Sequence, residues 1–228
     1  QPGVLSGRLG TMLELFQERF QGTFRGRVAL GQPLVVVAVA AEAADMDEDA
    51  PVLITGIGRL NATLAVTDCL HRYLRAGGLP SAVINIGTAG ALRPGLTGVH
   101  RVDRVILHDF SHAGVAALTG RDEYPPIDLA TSGADSSPGL TLATGDVFVD
   151  DAATRDRLAQ DAHLVDMEGY AVAAVAQWFG VPVQLAKIVS DSADDTAGAS
   201  WHRELPALAR QLADHSRQAL GGPPHPAP

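Results

Sequence analysis

The chain has 228 residues, a length that favours one large domain, and 46% of them are hydrophobic against 19% charged, which excludes a disordered or collagen-like chain. Seventeen Lys and Arg stand against 26 Asp and Glu, and the formal charge of −9 offers no basic field to a nucleic-acid backbone or an anionic membrane. Cys69 is the only cysteine, so no intrachain disulfide can form, and the longest apolar run, residues 34–41, is far below the ~20 residues of a membrane-crossing helix. With no basic segment leading into an apolar one at the start, a cytoplasmic location is expected.

In chain order, residues 1–31 form an N-terminal extension whose only regular feature is an amphipathic helix candidate at 12–20. From residue 32 to 220 short β-branched runs alternate with helical patterns, the signature of a single α/β domain. Strands are expected at 34–41, 52–57, 82–87, 102–108 and 181–189; three of these are apolar on both faces and so belong in the middle of a sheet covered on both sides. Ala62, Val66, Cys69, Tyr73 and Ala76 share one face of a crossover helix at 59–76, which Gly77-Gly78 stops. Further helices are expected at 154–161, 168–179 and 205–220, an exposed loop at 131–139, and a disordered tail at 221–228 with four prolines. The fold class is therefore α/β, a three-layer αβα sandwich with a central, mostly parallel or mixed sheet.

Several stretches can carry chemistry, each with a plainer reading beside it. Gly56-Ile-Gly58 leaves a strand and opens a helix like a dinucleotide-binding turn, but Asn61 stands where the third glycine belongs, so a tight turn explains it as well. Gly87-Thr-Ala-Gly90 leaves another strand, where ligands bind in open α/β sheets, and is equally readable as a turn. Asp166 can complement the dipole of the helix after it, whereas Glu168 enters a nearly wholly apolar helix and needs a donor, for which a sugar diol is suitable. In Ser190-Asp-Ser-Ala-Asp194, Asp191 suits a general acid at a strand end, and capping of the next turn is the alternative. No complete calcium loop or zinc spacing accompanies these residues, and His108, Asp109 and His112 read as polar loop residues.

Taken in order, Gly56-Ile-Gly58, INIGTAGAL at 84–92, TGDVF at 144–148, VDMEG at 165–169 and SDSAD at 190–194 resemble the purine nucleoside phosphorylase and nucleosidase superfamily. The resemblance is strongest to its 5′-methylthioadenosine/S-adenosylhomocysteine nucleosidase branch, and futalosine hydrolase is also similar. It implies a nucleoside-phosphorylase-like fold and hydrolysis of the N-glycosidic bond of a 5′-modified purine nucleoside. Asp191, beside Ser190, would be the acid that protonates purine N7. Met167 and Glu168 would hold the ribose, Phe148 would stack on the base, and the backbone of Val149 would read its edge. Trp201 matches an aromatic near the ribose and 5′ group, and Thr88 and Gly90 match the loop around the nucleophile.

Glu42 is the candidate general base, because Asn85 stands where the phosphorylases carry an arginine and Ala40-Ala-Glu-Ala43 replaces their glycine-and-arginine loop. Only thirteen residues separate Glu42 from Gly56, so the helix and hairpin that the family inserts there are missing, and Lys187 replaces an arginine expected before the Ser-Asp pair. The resemblance implies neither metal nor organic cofactor, a small-molecule nucleoside as partner, and a homodimer. Three alternatives stay open: a phosphorylase that contacts phosphate through Arg59 or Arg93, a non-catalytic nucleoside-binding protein, and a nicotinamide-dependent reductase.

Overall fold

A computed structural model describes residues 22–129 and 139–220. The helix candidate at 12–20, most of the loop at 131–139 and the tail at 221–228 lie outside the described residues. Within them the chain runs β1 (Thr23–Arg25), β2 (Leu34–Val37), a 3-10 turn (Ala40–Ala43), β3 (Val52–Ile54), α1 (Arg59–Arg75), β4 (Val83–Ala91) and β5 (Val99–Leu107). It continues with α2 (His112–Thr119), β6 (Ile127–Asp128), β7 (Leu140–Thr144), α3 (Ala152–Leu158), β8 (Leu164–Asp166), α4 (Gly169–Trp178), β9 (Val183–Asp191) and α5 (Ala197–Ala219).

The strands make one mixed sheet in the order β1-β3-β2-β4-β8-β7-β5-β6, and β9 pairs with both β4 and β5. Because β9 bridges those two, β4, β8, β7, β5 and β9 close into a ring, which the alternation of elements does not announce. The pairs β2–β3, β2–β4, β4–β9, β5–β7 and β7–β8 are parallel; β1–β3, β4–β8, β5–β6 and β5–β9 are antiparallel.

Alternation along the strands builds the expected layers. Val83 and Leu185 point into a cluster with Val66, Leu70 and Tyr73 of α1 and Val172 and Ala176 of α4. Ile84, Ile86 and Ile188 point the other way, against Leu208, Leu212 and Ala213 of α5. Glycines end α1 and α4 as the sequence requires, with Gly77 and Gly180 at positive φ.

Four expectations need correction. Gly87-Thr-Ala-Gly90 is no turn: β4 runs through it to Ala91, paired with β9 along that length, and neither glycine has positive φ. The closing helix starts at Ala197 rather than 205, because Pro206 lies inside it; proline at a first helical position and proline at an interior one look alike in sequence. The strand expected at 181–189 is shifted to Val183–Asp191, so Ser190 and Asp191 are in the strand and not after it. Finally, the 1–31 segment is not wholly outside the sheet, since Thr23–Arg25 pairs antiparallel with β3. Arg25 from this edge strand donates to the carbonyls of Ala43 (2.8 Å) and Met46 (3.3 Å), holding the shortened connection after Glu42.

Candidate active site

The carboxyl ends of β2, β4, β8 and β9 open into one cavity, and all ten residues singled out in sequence line it: Glu42, Thr88, Gly90, Phe148, Val149, Met167, Glu168, Ser190, Asp191 and Trp201. Each carboxylate is held by a different device.

Glu42 lies in the 3-10 turn after β2 and is 2% exposed. Its Oε2 accepts from the backbone N–H groups of Ala38 (2.9 Å) and Val39 (3.3 Å), and its Oε1 from the N–H (2.8 Å) and hydroxyl (2.9 Å) of Thr88. The Thr88 oxygen in turn accepts from the indole N–H of Trp201 at 2.9 Å. An indole only donates and an ionised carboxylate only accepts, so the chain runs in one direction, from Trp201 through Thr88 to Glu42. A glycine at 87 leaves the room: a Cβ there would lie 3.0 Å from Glu42 Oε1.

Asp191 ends β9. Its Oδ2 accepts from the Ser190 hydroxyl (2.7 Å) and its Oδ1 from the N–H of Ala193 (2.9 Å), a buried residue forced to φ 48°. The register slips between Ala89 and Gly90, so that Gly90 faces Asp191; a Cβ at Gly90 would stand 2.9 Å from Asp191 Oδ1. The two glycines of the motif are therefore spaces for two carboxylates, as glycine in a strand often marks a close approach.

Glu168 precedes α4 and accepts from the Gly58 N–H at 2.7 Å, so that N–H is not free to bind a pyrophosphate. Burial, then the neighbouring Asp166 charge, push its pKa up to about 8, against the pull of Lys187. Asp166 does more than complement a helix dipole. It accepts from the Thr144 hydroxyl (2.6 Å) and the Gly169 N–H (2.9 Å) and pairs with Lys187 Nζ (2.9 Å), both side chains almost wholly buried. Burial works against the Lys187 charge, but Asp166 and Glu168 outweigh it and hold its pKa above the ordinary lysine value. In sequence Lys187 stands out only as a replacement for an arginine, although a lysine inside an apolar strand already demands a buried acid.

Phe148 is half-exposed at the mouth, whereas Val149 is buried. The cations offered for phosphate are engaged elsewhere: Arg93 donates to the carbonyls of Ala159 and Ala162, and Arg59 pairs with Asp109 and Asp146. Among the described residues, Lys187 is the only Lys or Arg lining the cavity. Asn85 bonds the Val36 carbonyl inside the sheet and does not line the cavity. Asp194 accepts from the N–H and hydroxyl of Thr196, the turn-capping role. Among the described residues no three His, Cys, Asp or Glu side chains gather in a way that could hold a metal ion, and no helix is long and apolar enough to cross a membrane.

Comparison with known proteins places this geometry in a family. The profile of the Phosphorylase superfamily matches residues 47–221. The chain is 29% identical over 185 residues to a 5′-methylthioadenosine/S-adenosylhomocysteine nucleosidase of Geobacillus thermodenitrificans, covering 73% of this chain and 76% of the relative. It is 32% identical over 171 residues to the protein of that name from Anoxybacillus flavithermus, covering 66% and 71%. Among solved structures, that of the 5′-methylthioadenosine/S-adenosyl homocysteine nucleosidase of Helicobacter pylori superposes with a TM-score of 0.66 at 20% identity, over 85% of this chain and 99% of the other. The futalosine hydrolase of the same organism gives 0.67 at 21%, over 84% and 97%. With the superfamily profile covering more than half of the chain, from the connection before β3 to the last helix, this chain belongs to the phosphorylase superfamily and has a nucleoside-phosphorylase-like fold.

Proposed function

We propose that the protein hydrolyses the N-glycosidic bond of a 5′-modified purine nucleoside of the methylthioadenosine, S-adenosylhomocysteine or futalosine type, releasing free base and sugar. The observation that carries this reading is the placement of Glu42 against Thr88 and Asp191 against Gly90. Thr88 and Gly90 stand two residues apart, on the order of 7 Å along β4 at ~3.3 Å per residue, so the two carboxylates meet the strand at separate points, one to serve a water and the other a base. The names of the relatives and the absence of an arginine among the described residues lining the cavity support hydrolysis over phosphorolysis.

The chemistry follows from the residue types. As the C1′–N9 bond breaks, its electron pair goes to the purine, and Asp191 gives a proton to N7, assistance worth typically ~10²–10⁴-fold. Glu42 takes a proton from the water that bonds to C1′. Glu168 lies against the ribose with Met167. Burial and the neighbouring Asp166 make a charge on Glu168 costly in the free cavity, and a sugar that becomes cationic beside it offsets that cost, so its interaction is stronger in the transition state than in the ground state. Phe148 stacks on the base, Val149 presents backbone to its edge, and Trp201 and Ile57 line the cavity near the 5′ group. The reaction needs neither a redox cofactor nor a metal.

We further place the protein in the cytoplasm, in keeping with its lone buried thiol, whose pKa burial pushes up to about 12. We also propose a homodimer, because Ile57, Val147 and Phe148, which line the cavity, leave exposed apolar surface there and Leu60 and Leu64 are exposed on the nearby helix α1; light scattering should report twice the chain mass, and a monomer at micromolar concentration would count against it. The function itself is tested by incubating the protein in phosphate-free buffer with methylthioadenosine, adenosylhomocysteine, adenosine, inosine and futalosine, and separating the products. Free adenine or hypoxanthine is expected, and intact nucleoside in every tube would overturn the reading.

A further inference from the structure

We propose that Arg59, Asp109 and Asp146 are positioning residues that fix the base-stacking loop to the helix end that anchors the ribose carboxylate. The inference rests on reading the cavity as a nucleoside site.

The loop at 145–149 carries Phe148 and Val149 but has no regular structure; Val149 is packed with Leu92, Ala143 and Leu158, whereas Val147 and Phe148 are both exposed, so apolar packing holds only the far end of the loop. Polar contacts hold the rest. The N–H of Asp146 donates to Asp109 Oδ2 at 2.7 Å, and that of Gly145 to the Asp166 carbonyl at 3.1 Å. The Asp146 carboxylate accepts from the backbone N–H of Arg59 (2.8 Å) and from its Nε (3.1 Å). Arg59 Nη2 reaches both acids, Asp109 at 3.0 Å and Asp146 at 3.0 Å. One guanidinium thus ties the end of β5, the loop after β7 and the first turn of α1.

That first turn is also where the ribose side is anchored. No side chain of its own caps α1; its free N–H groups are taken by two acids from elsewhere, Gly58 by Glu168 and Arg59 by Asp146. Consecutive amides of one helix end therefore set the position of the ribose carboxylate and of the base loop relative to each other. Gly58, at φ 96°, would put a Cβ 3.3 Å from Asp146 Oδ1, so a side chain there would crowd the contact as well as strain the backbone. Isolated exposed ion pairs contribute little, but this one is a fork bridging two acids that each also accept from a backbone N–H, a geometry lysine cannot copy.

Arg59→Lys and Asp109→Ala test the clamp through two readouts. Amide hydrogen exchange at Arg59 and Asp146 should quicken at least tenfold in both variants, while the exchange of β4 and β9 stays as it was. KM for the nucleoside should rise about tenfold with kcat within about threefold, the split expected when binding geometry rather than chemistry is lost. A merely structural role would lower the melting temperature and leave KM alone. Unchanged exchange at both amides, or quickened exchange with an unchanged KM, overturns the proposal. If the unaltered protein releases no base, the nucleosidase reading falls, whereas the exchange rates still decide whether these three residues hold the loop.

Discussion

Two isosteric acid-to-amide changes in the same cavity should differ sharply in their cost to stability, and the difference follows from their hydrogen bonds. In Asp191→Asn the amide oxygen can keep the Ala193 N–H while the new NH2 donates to Ser190 Oγ, whose hydroxyl is free to turn to the Ala89 carbonyl 3.4 Å away. The fold then loses less than about 1 kcal/mol, while the proton for N7 is gone and turnover falls by ~10²–10⁴-fold. Glu42→Gln has no such escape. Both carboxylate oxygens face backbone N–H groups, Ala38 and Val39 on one side and Thr88 on the other. The less costly orientation turns the NH2 toward Thr88, keeps a bond to its hydroxyl, and leaves one buried backbone N–H facing another donor. A lost bond to a charged group at ~1.5–3 kcal/mol plus an unsatisfied buried donor at ~1–3 gives about 3 kcal/mol or more. Urea unfolding followed by circular dichroism measures both, as a shift in midpoint at constant slope. A Glu42→Gln variant within 1 kcal/mol of the parent would refute the four-donor arrangement, and so would an Asp191→Asn variant as unstable as Glu42→Gln.

Glu168 supplies a pH test. Its folded pKa near 8 lies above the ordinary carboxyl value, so its contribution to stability is complete at low pH and is lost as pH rises toward and through about 8. From pH 7 to about 8, where His108, His163 and His215 are held neutral chiefly by burial, the parent should lose melting temperature and then level off at higher pH, where Glu168 is ionised in both states, and Glu168→Gln should lose much less; parallel curves would argue against a buried, strained carboxyl. Lys187→Met leaves buried Asp166 with its Thr144 and Gly169 hydrogen bonds but without its cation and should cost ~3–5 kcal/mol by urea unfolding; a loss under 1 kcal/mol would show that the pair with Lys187 does not hold Asp166 there. Gly90→Ala pushes a methyl to 2.9 Å from Asp191 Oδ1 and should reduce kcat at least ~100-fold, the scale of losing a placed general acid, with little change in KM. Full activity in that variant would show that the acid is not seated against β4.

What could be read from sequence, and what could not, divides along physical lines. Strands apolar on both faces and the regular face of α1 declare themselves by periodicity, and five short motifs in order contain seven of the ten residues expected at the site, with Glu42, Val149 and Trp201 placed by their distance from those motifs. The strand β8 has three residues, too few for a period, and β7 emerges from a stretch rich in Ser, Gly, Asp and Pro, so both were missed. Glycines led the reading of 87–90 astray, since absence of a side chain signals either a turn or a space for a neighbour, and the neighbours here, Glu42 and Asp191, are 45 and 101 positions away from those glycines. The Arg59–Asp109–Asp146 contacts join residues up to 87 positions apart that look like ordinary surface charges one at a time. Closure of the ring by β9 depends on the antiparallel pairing with β5, which no local pattern marks.

The central claim is that water, and not phosphate, displaces the base under the control of Asp191 and Glu42. The most direct measurement follows base release from the best substrate in phosphate-free buffer and again with phosphate added, reading the sugar product by phosphorus and proton magnetic resonance, with Asp191→Asn beside the parent. The account predicts equal rates in both buffers, an unphosphorylated sugar in each, and near-loss of turnover in the variant. Release that requires phosphate and yields a sugar 1-phosphate, or an Asp191→Asn enzyme as fast as its parent, would contradict it.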